Sequence, residues 1–369
     1  MSGEAVIRST IPARLDGLPW SRWHWRVVIA LGVSWLLDGL EVTVVGSLGP
    51  TLQRSETLGL SAESIGWAAS AYIGGAVIGA LVFGRLADRF GRKRIFLVTL
   101  AVYLAATVAT AFSFNLASFA LCRFFTGFGI GGEYAAINSA IDELIPARLR
   151  GQVDLAINGT FWVGAALGAG LSIVLLDPGF IGAEWGWRIA FGLGGILGIA
   201  ILLVRRHVPE SPRWLLMHGR HEEAEAVVQE IERQVRAQHG LLPLPSEYHS
   251  QRSLAHVPWK DIFALLLTRF RRRSVLGLSL MSAQAFFYNA IFFTYALVLT
   301  RFYGIAEGSV GYYIFPFAVG NFLGPLALGK LFDAIGRRVM IATTYAVSGL
   351  SLFVTGWFFS QGALGAVGL

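Results

Sequence analysis

Two stretches of this sequence share one pattern: Gly84-Arg-Leu-Ala-Asp88-Arg-Phe-Gly91-Arg92-Lys93-Arg94 and Gly329-Lys-Leu-Phe-Asp333-Ala-Ile-Gly336-Arg337-Arg338. Each reads glycine, aspartate four residues later, glycine three residues further on, and then arginine. Glycine permits a tight turn between antiparallel helices, arginine and lysine hold a turn at the lipid headgroups, and aspartate accepts charge-assisted hydrogen bonds. The repeat predicts a chain of two related halves, because cationic anchors alone would not place aspartate at the same offset twice.

The composition favours a membrane protein. Of the 369 residues, 54% are hydrophobic and 14% charged, whereas soluble domains hold about 45–50% apolar and about 25% charged residues. The mean hydropathy of +0.59 excludes a disordered protein, a coiled coil and almost any soluble enzyme. No nucleophile–base pair, metal-ligand spacing or phosphate-binding loop appears, so we expect neither an enzyme nor a bound metal or cofactor.

The apolar segments predict an all-α, polytopic protein in the lipid bilayer. A bilayer core needs about 20 apolar residues per helix, and nine segments meet that requirement. A tenth begins near Gly362 and is too short to cross. The predicted spans are 27–50, 64–83, 95–113, 117–142, 153–176, 186–204, 275–299, 309–328 and 339–359.

The cations predict the orientation. If the N-terminus is cytoplasmic, every lysine and arginine except Arg54, Arg123, Arg188 and Arg301 falls on the cytoplasmic side, as the positive-inside rule requires. We therefore expect a multi-pass protein of the cytoplasmic (inner or plasma) membrane with its N-terminus inside. The net charge of +7 is explained by this topology, and we expect no nucleic-acid partner.

The composition changes after the sixth span and so predicts four regions. They are a cytoplasmic tail at 1–26, a six-helix bundle at 27–204, a cytoplasmic linker at 205–273 and an incomplete C-terminal bundle at 274–369. Within the linker, apolar residues recur at helical spacing and predict an amphipathic helix. These residues are Ala224, Val227, Val228, Ile231 and Val235.

The repeat and its position resemble the major facilitator superfamily, in which such a loop motif recurs in both halves. The resemblance runs from about Val27 to the end of the chain. Glu143-Leu-Ile-Pro-Ala-Arg-Leu-Arg150-Gly, Gly186-Trp-Arg and Pro209-Glu-Ser-Pro-Arg-Trp-Leu215 narrow it to the sugar-porter and general-substrate branch. That fold has six plus six helices, so we expect a second half that is incomplete at its C-terminus.

The resemblance also implies a cytoplasmic gate of carboxylates and arginines that closes when the transporter faces outward. Charge pairs of this kind are weak singly but bias a two-state equilibrium as a group. The gate and motif residues carried over to this sequence are Gly84, Asp88, Gly91, Arg92, Glu143, Arg150, Glu210, Arg213, Asp333, Gly336 and Arg337.

Charged residues inside the spans predict proton coupling. All seven histidines lie outside the spans, so a proton carrier in the membrane must be a carboxylate. Asp38 and Glu41 share one face of the first span, and in proton-linked relatives an acid in the first helix works against an arginine in the fourth. We expect Glu41 to carry the proton, Asp38 to assist it and Arg123 to be the counter-ion; the alternative is a structural ion pair. Glu133 either contacts substrate or pairs with an inner-gate arginine.

Substrate contacts are expected in the seventh span. Gln284-Ala-Phe-Phe-Tyr288-Asn289-Ala-Ile-Phe292 resembles the sugar-contacting stretch of sugar porters, with Gln284, Asn289 and Phe292 at matching positions and Tyr288 as a further candidate. Several expected glutamines and aromatic residues are absent nearby, which weakens recognition of a hexose. An aromatic metabolite or an organic anion held by Arg123 fits better. Interhelical hydrogen bonding is the alternative role for the two amides.

Together these observations predict a secondary active transporter of a small metabolite (an organic acid, an aromatic compound or a sugar). We expect alternating access, proton symport and a monomer whose partners are the substrate, protons and lipid. Two alternatives stay open: a drug or metabolite antiporter that exports its substrate, and a transporter-like receptor that binds without translocating.

Overall fold

The computed structural model describes residues 6–177, 181–205, 209–242, 249–252, 258–306, 309–363 and 365. A single 3-10 turn, Ala147–Leu149, precedes α7. The helices within these ranges are α1 (Ile11–Asp16), α2 (Arg22–Ser47), α3 (Gly49–Gln53), α4 (Ala62–Phe90), α5 (Arg92–Thr110), α6 (Leu116–Leu144), α7 (Arg150–Leu175), α8 (Ala183–Arg205), α9 (Pro212–Met217), α10 (His221–His239), α11 (Trp259–Leu267), α12 (Arg271–Tyr303), α13 (Val310–Ala334) and α14 (Arg337–Ser360).

Nine of these helices lie at the predicted spans: α2, α4 to α8, and α12 to α14. Five stretches, namely α2, α4, α5, Ala147–Leu175 and Arg338–Ser360, are by length and composition alone apolar enough to cross a membrane. Their outward faces carry exposed apolar side chains such as Val77, Ile78 and Leu81 of α4. The prediction of an all-α polytopic bundle is therefore confirmed.

A small antiparallel sheet was not predicted. Strand β1 (Val6–Ser9) pairs with β2 (His249–Arg252), with Val6 opposite Arg252. The segment that the sequence predicts to be a tail is thus tied to the linker that follows α8.

Glycines bring α2 and α7 into backbone contact. A Cβ at Gly39 would overlap the carbonyl of Phe161, and a Cβ at Gly164 would overlap the carbonyl of Leu36. Each helix therefore offers a glycine to the backbone of the other, and only residues without a side chain permit this approach. The contact fixes the middle of α2, which carries Asp38, against the middle of α7.

One end of the bundle, which we call the linker face, is covered by α1, α9 and α10. Helix α10 buries Ala224, Val228, Ile231 and Val235, so the predicted amphipathic helix is present. These side chains form one apolar core with Ile11 and Leu15 of α1, with α9 and with the nearby ends of α2, α6 and α7.

An ion-pair cluster fastens the tail to α10. The guanidinium of Arg14 in α1 lies 2.7 Å from the carboxylates of both Glu225 and Glu232. Burial alone would raise the pKa of Glu225, but hydrogen bonds from Arg14 and Gln229 outweigh it and leave that pKa lowered. Helix α1 is therefore part of the folded linker face.

The repeated motif is mostly helical. Gly84 lies inside α4 and Gly329 inside α13, so the first glycine of each motif makes no turn. A Cβ at Gly84 would meet nothing within 4 Å among the described atoms. The helices break instead at the second glycine, where Gly91 has φ +100° and ψ 145° and Gly336 has φ +100° and ψ 139°. Only glycine adopts this backbone region readily, which explains why both copies keep it.

The linker caps the helix that starts after Gly91. Oε1 of Glu210 accepts hydrogen bonds from the backbone N–H of Arg92 at 2.9 Å and of Lys93 at 3.1 Å. A carboxylate is favourable there because the N-terminal N–H groups of α5 lack partners within the helix. Nε1 of Trp214 also donates to the carbonyl of Asp88 at 2.8 Å, so the segment around α9 holds both sides of the turn.

Replacing Gly91 by alanine should destabilise the protein. The new Cβ would stand 2.5 Å from the Glu210 carboxylate, and the backbone would carry strain of about 1–3 kcal/mol. We expect a lower midpoint of thermal unfolding in detergent.

Gly84→Ala is the matched control, because alanine in an open helix interior is neutral or stabilising by up to about 0.5–1 kcal/mol. Equal midpoints for G91A and G84A would contradict this explanation of the repeat.

Candidate functional site

A buried ion pair joins α2 to α6. Nη1 of Arg123 lies 2.5 Å from Oε1 of Glu41, and the two side chains are 2% and 4% exposed. Oγ1 of Thr107 in α5 donates to the other carboxylate oxygen at 3.1 Å. The structure thus brings together the acid and the arginine that the sequence singled out, and both oxygens of Glu41 accept hydrogen bonds.

Aromatic rings surround the guanidinium. Arg123 lies over the ring of Tyr72 at 4.7 Å and within 5.8 Å of the ring of Phe191, in positions that allow cation–π attraction. Its Nη2 is buried and has no hydrogen-bond partner among the described residues. The arginine therefore keeps one donor that Glu41 does not use.

Two further acids lie close by. Asp38, one turn before Glu41 on α2, is completely buried, and Glu133 on α6 is 1% exposed. Both carboxylates act electrostatically on the hydroxyls of Tyr103 and Tyr134. Asp38, Glu41, Arg123 and Glu133 therefore belong to one electrostatic neighbourhood in the membrane-spanning part of the first half.

Next to this neighbourhood lies an aromatic cluster that spans both halves. Trp35 stacks on Tyr134 with centroids 4.4 Å apart, and Phe161 and Trp162 of α7 make edge contacts across to α12 and α13. Tyr72, the ring beneath Arg123, packs in the same core. We define the aromatic cluster as Trp35, Tyr134, Phe161, Trp162, Tyr288 and Phe317.

Of the substrate residues predicted on α12, Tyr288 belongs to this cluster: its ring lies 6.0 Å from that of Trp162. Gln284, one turn earlier, has an exposed side chain, and the side chains of Asn289 and Phe292 lie outside the described part of the structure.

The other five residues of the cluster were not predicted from the sequence. One available signal was tryptophan in the middle of a span, at Trp35 and Trp162, since membrane tryptophans concentrate at the interfaces instead. No comparable signal marks Tyr134, Phe161 or Phe317.

The residues predicted to form a gate make separate contacts on the linker face. Arg92 pairs with the nearly buried Glu143, and its Nη2 is 4.0 Å from the mostly exposed carboxylate of Asp88. Arg150 donates instead to Asp16 of the tail at 3.0 Å.

Three other predicted gate residues contribute no described side-chain pair. Arg213 is exposed, while the side chains of Asp333 and Arg337 lie outside the described residues. Within the described ranges, no group of three histidine, cysteine, aspartate or glutamate residues could hold a metal ion.

The sequence profile of a family described as "Sugar (and other) transporter" matches residues 25–366. The niacin transporter NiaP of Acinetobacter baylyi is 30% identical over 345 residues, which cover 93% of this chain and 75% of NiaP. The 4-hydroxybenzoate transporter PcaK of the same organism is 28% identical over 98% of this chain and 77% of its own length.

Among solved structures, the xylose transporter XylE of Escherichia coli in a partially occluded, inward-open conformation superposes with a TM-score of 0.73. The alignment covers 93% of this chain and 81% of XylE at 21% identity, which shows a common fold. The chain therefore belongs to the sugar (and other) transporter family of the major facilitator superfamily, and it is a multi-pass membrane transporter rather than an enzyme.

Proposed function

We propose that this protein is a proton-coupled symporter that takes up a small aromatic carboxylate across the plasma membrane by alternating access. The observation that carries the proposal is the buried Glu41–Arg123 pair beside an aromatic cluster to which both halves contribute. The transporter works as a monomer with its N-terminus and linker face in the cytoplasm.

The ion pair supplies the coupling. A buried charge that loses its partner is destabilised by about 3–5 kcal/mol, so protonation of Glu41 leaves Arg123 in need of another anion. A substrate carboxylate meets that need, because the Nη2 donor of Arg123 has no hydrogen-bond partner among the described residues. Proton and anion then bind together, because each removes the penalty that the other would create.

The aromatic cluster supplies the specificity. Flat rings contact the edges and faces of Trp35, Phe161 and Trp162 favourably, and the buried indole N–H of Trp35 has no partner among the described residues, so it is available to a polar ring substituent. The relatives named for niacin and for 4-hydroxybenzoate, both aromatic carboxylic acids, support this class over a sugar.

The contacts on the linker face form the cytoplasmic gate in this proposal. The Arg92–Glu143 pair joins α5 to α6, and the Glu210 carboxylate joins the linker to the start of α5, so both stabilise one arrangement of the linker face of the first half. At the opposite end, a Cβ at Gly311 of α13 would stand 2.4 Å from the carbonyl of Ala169. This close contact between the halves is the corresponding outer closure.

Replacing Glu41 by glutamine should separate binding from coupling. The amide resembles the protonated carboxyl, so the anion should still bind and exchange, while accumulation driven by an inward proton gradient is lost. Uptake and counterflow of labelled 4-hydroxybenzoate in proteoliposomes measure the two activities. Glu63→Gln is the matched control, because that carboxylate lies on the exposed first turn of α4 and should leave accumulation intact.

Proton-driven accumulation by E41Q would contradict the role of Glu41. Depletion of substrate from the vesicles under the same gradient would indicate the export alternative, and binding without counterflow in the unmodified protein would indicate a receptor.

Removing one aromatic ring from the aromatic cluster should weaken substrate binding. Trp162→Leu removes contacts with Tyr288 and Phe317, and the loss of such aromatic contacts should raise the KM for 4-hydroxybenzoate about tenfold. Trp67→Leu is the control, since Trp67 is 66% exposed on the outside of α4. Equal KM values for W162L and W67L would exclude the cluster as the substrate site.

A further inference from the structure

A basic cleft lies where α2 emerges at the linker face and meets the C-terminal part of α10. Its walls hold two arginines, Arg22 and Arg26, and two amides, and no carboxylate is among the residues that line it. The lining residues are Arg22, Trp23, Arg26, Gln234, Ala237 and Gln238.

The two helices hold the cleft in shape. Oε1 of Gln238 accepts a hydrogen bond from the backbone N–H of Arg22 at 2.9 Å, and Oε1 of Gln234 accepts one from Nη1 of Arg26 at 3.4 Å. Gln234 donates in turn to Glu230, one turn earlier on α10. The remaining guanidinium donors of both arginines therefore stand at the edge of a preformed site, one helical turn apart.

The cleft continues directly into a surface that faces lipid. Trp25 and Ile29 occupy the same side of α2 as the arginines and are 54% and 56% exposed. Along the helix Arg22, Trp25, Arg26 and Ile29 follow one another, so the two cations and the tryptophan share the turns expected at the headgroups, and the apolar Ile29 lies one turn further toward the acyl chains. A ligand bound here would meet positive charge at one end and apolar surface at the other.

We propose that this cleft binds the phosphate headgroup of an anionic phospholipid, with its acyl chains along Trp25 and Ile29. Two arginines separated by one turn suit the oxygens of a phosphate. A free phosphate anion shares the headgroup chemistry but would make no use of the apolar side. Because α10 forms one wall, the bound lipid stabilises the contact between the linker and the first spanning helix.

Native mass spectrometry of the purified full chain tests this site. Each cation near an anionic surface favours a negative lipid, so we expect about a tenfold preference for phosphatidylglycerol over phosphatidylcholine at the tightest bound position. The double variant Arg22→Gln/Arg26→Gln should lose that preference. The matched control Arg271→Gln/Arg272→Gln removes the same charge from the exposed start of α12 and should keep it.

Thermal unfolding in detergent distinguishes the two sources of phosphate. Phosphatidylglycerol should raise the unfolding midpoint of the unmodified protein and of the control but not of R22Q/R26Q, while inorganic phosphate at the same concentration should raise none of them. Equal stabilisation by inorganic phosphate would overturn the lipid assignment. Equal loss of the lipid preference in both double variants would show attraction by overall charge and would overturn the site itself.

Discussion

The contact between Glu41 and Arg123 is the constraint on which the first half of this transporter depends. Two charges that are almost fully removed from water are tolerable only while they neutralise each other and keep their hydrogen bonds. The groups that satisfy them come from several helices: Thr107 donates from α5, and Phe191 of α8 packs beside the guanidinium. Protonation of this one carboxylate therefore changes the energetics of four helices together.

A glycine contact links the charged turn of α2 to the aromatic cluster. Gly39 lies between the two acids of α2 in sequence, and its missing side chain admits the carbonyl of Phe161. Phe161 and Trp162 belong to the aromatic cluster. A shift of the turn that carries Asp38 and Glu41 cannot occur without displacing the backbone of α7 at the cluster. This packing gives the proposed coupling a mechanical route as well as an electrostatic one.

Features set by local sequence were predictable. Apolar runs of membrane length predicted the nine membrane-spanning helices, and five apolar residues at helical spacing predicted α10. The cost of burying charge drew attention to Glu41 and Arg123. The exact position of the turn in the repeat could not be predicted, because a pattern of glycine, aspartate and arginine does not indicate at which of its two glycines the helix ends. Only the backbone at Gly91 and Gly336 shows that it ends at the second one.

Features set by long-range packing were not predictable from one sequence. The aromatic cluster contains residues from five helices in two halves, and β1 pairs with a strand more than two hundred residues away. Arg150 pairs with Asp16 rather than with a carboxylate among the other predicted gate residues.

The central claim, that an aromatic anion and a proton enter together, is tested most directly by recording lumenal pH in proteoliposomes. Adding 4-hydroxybenzoate outside, at a pH where its carboxyl is ionised, should acidify the lumen beyond the change in protein-free vesicles. Entry of labelled substrate with no pH change, or with alkalinisation, would contradict the claim.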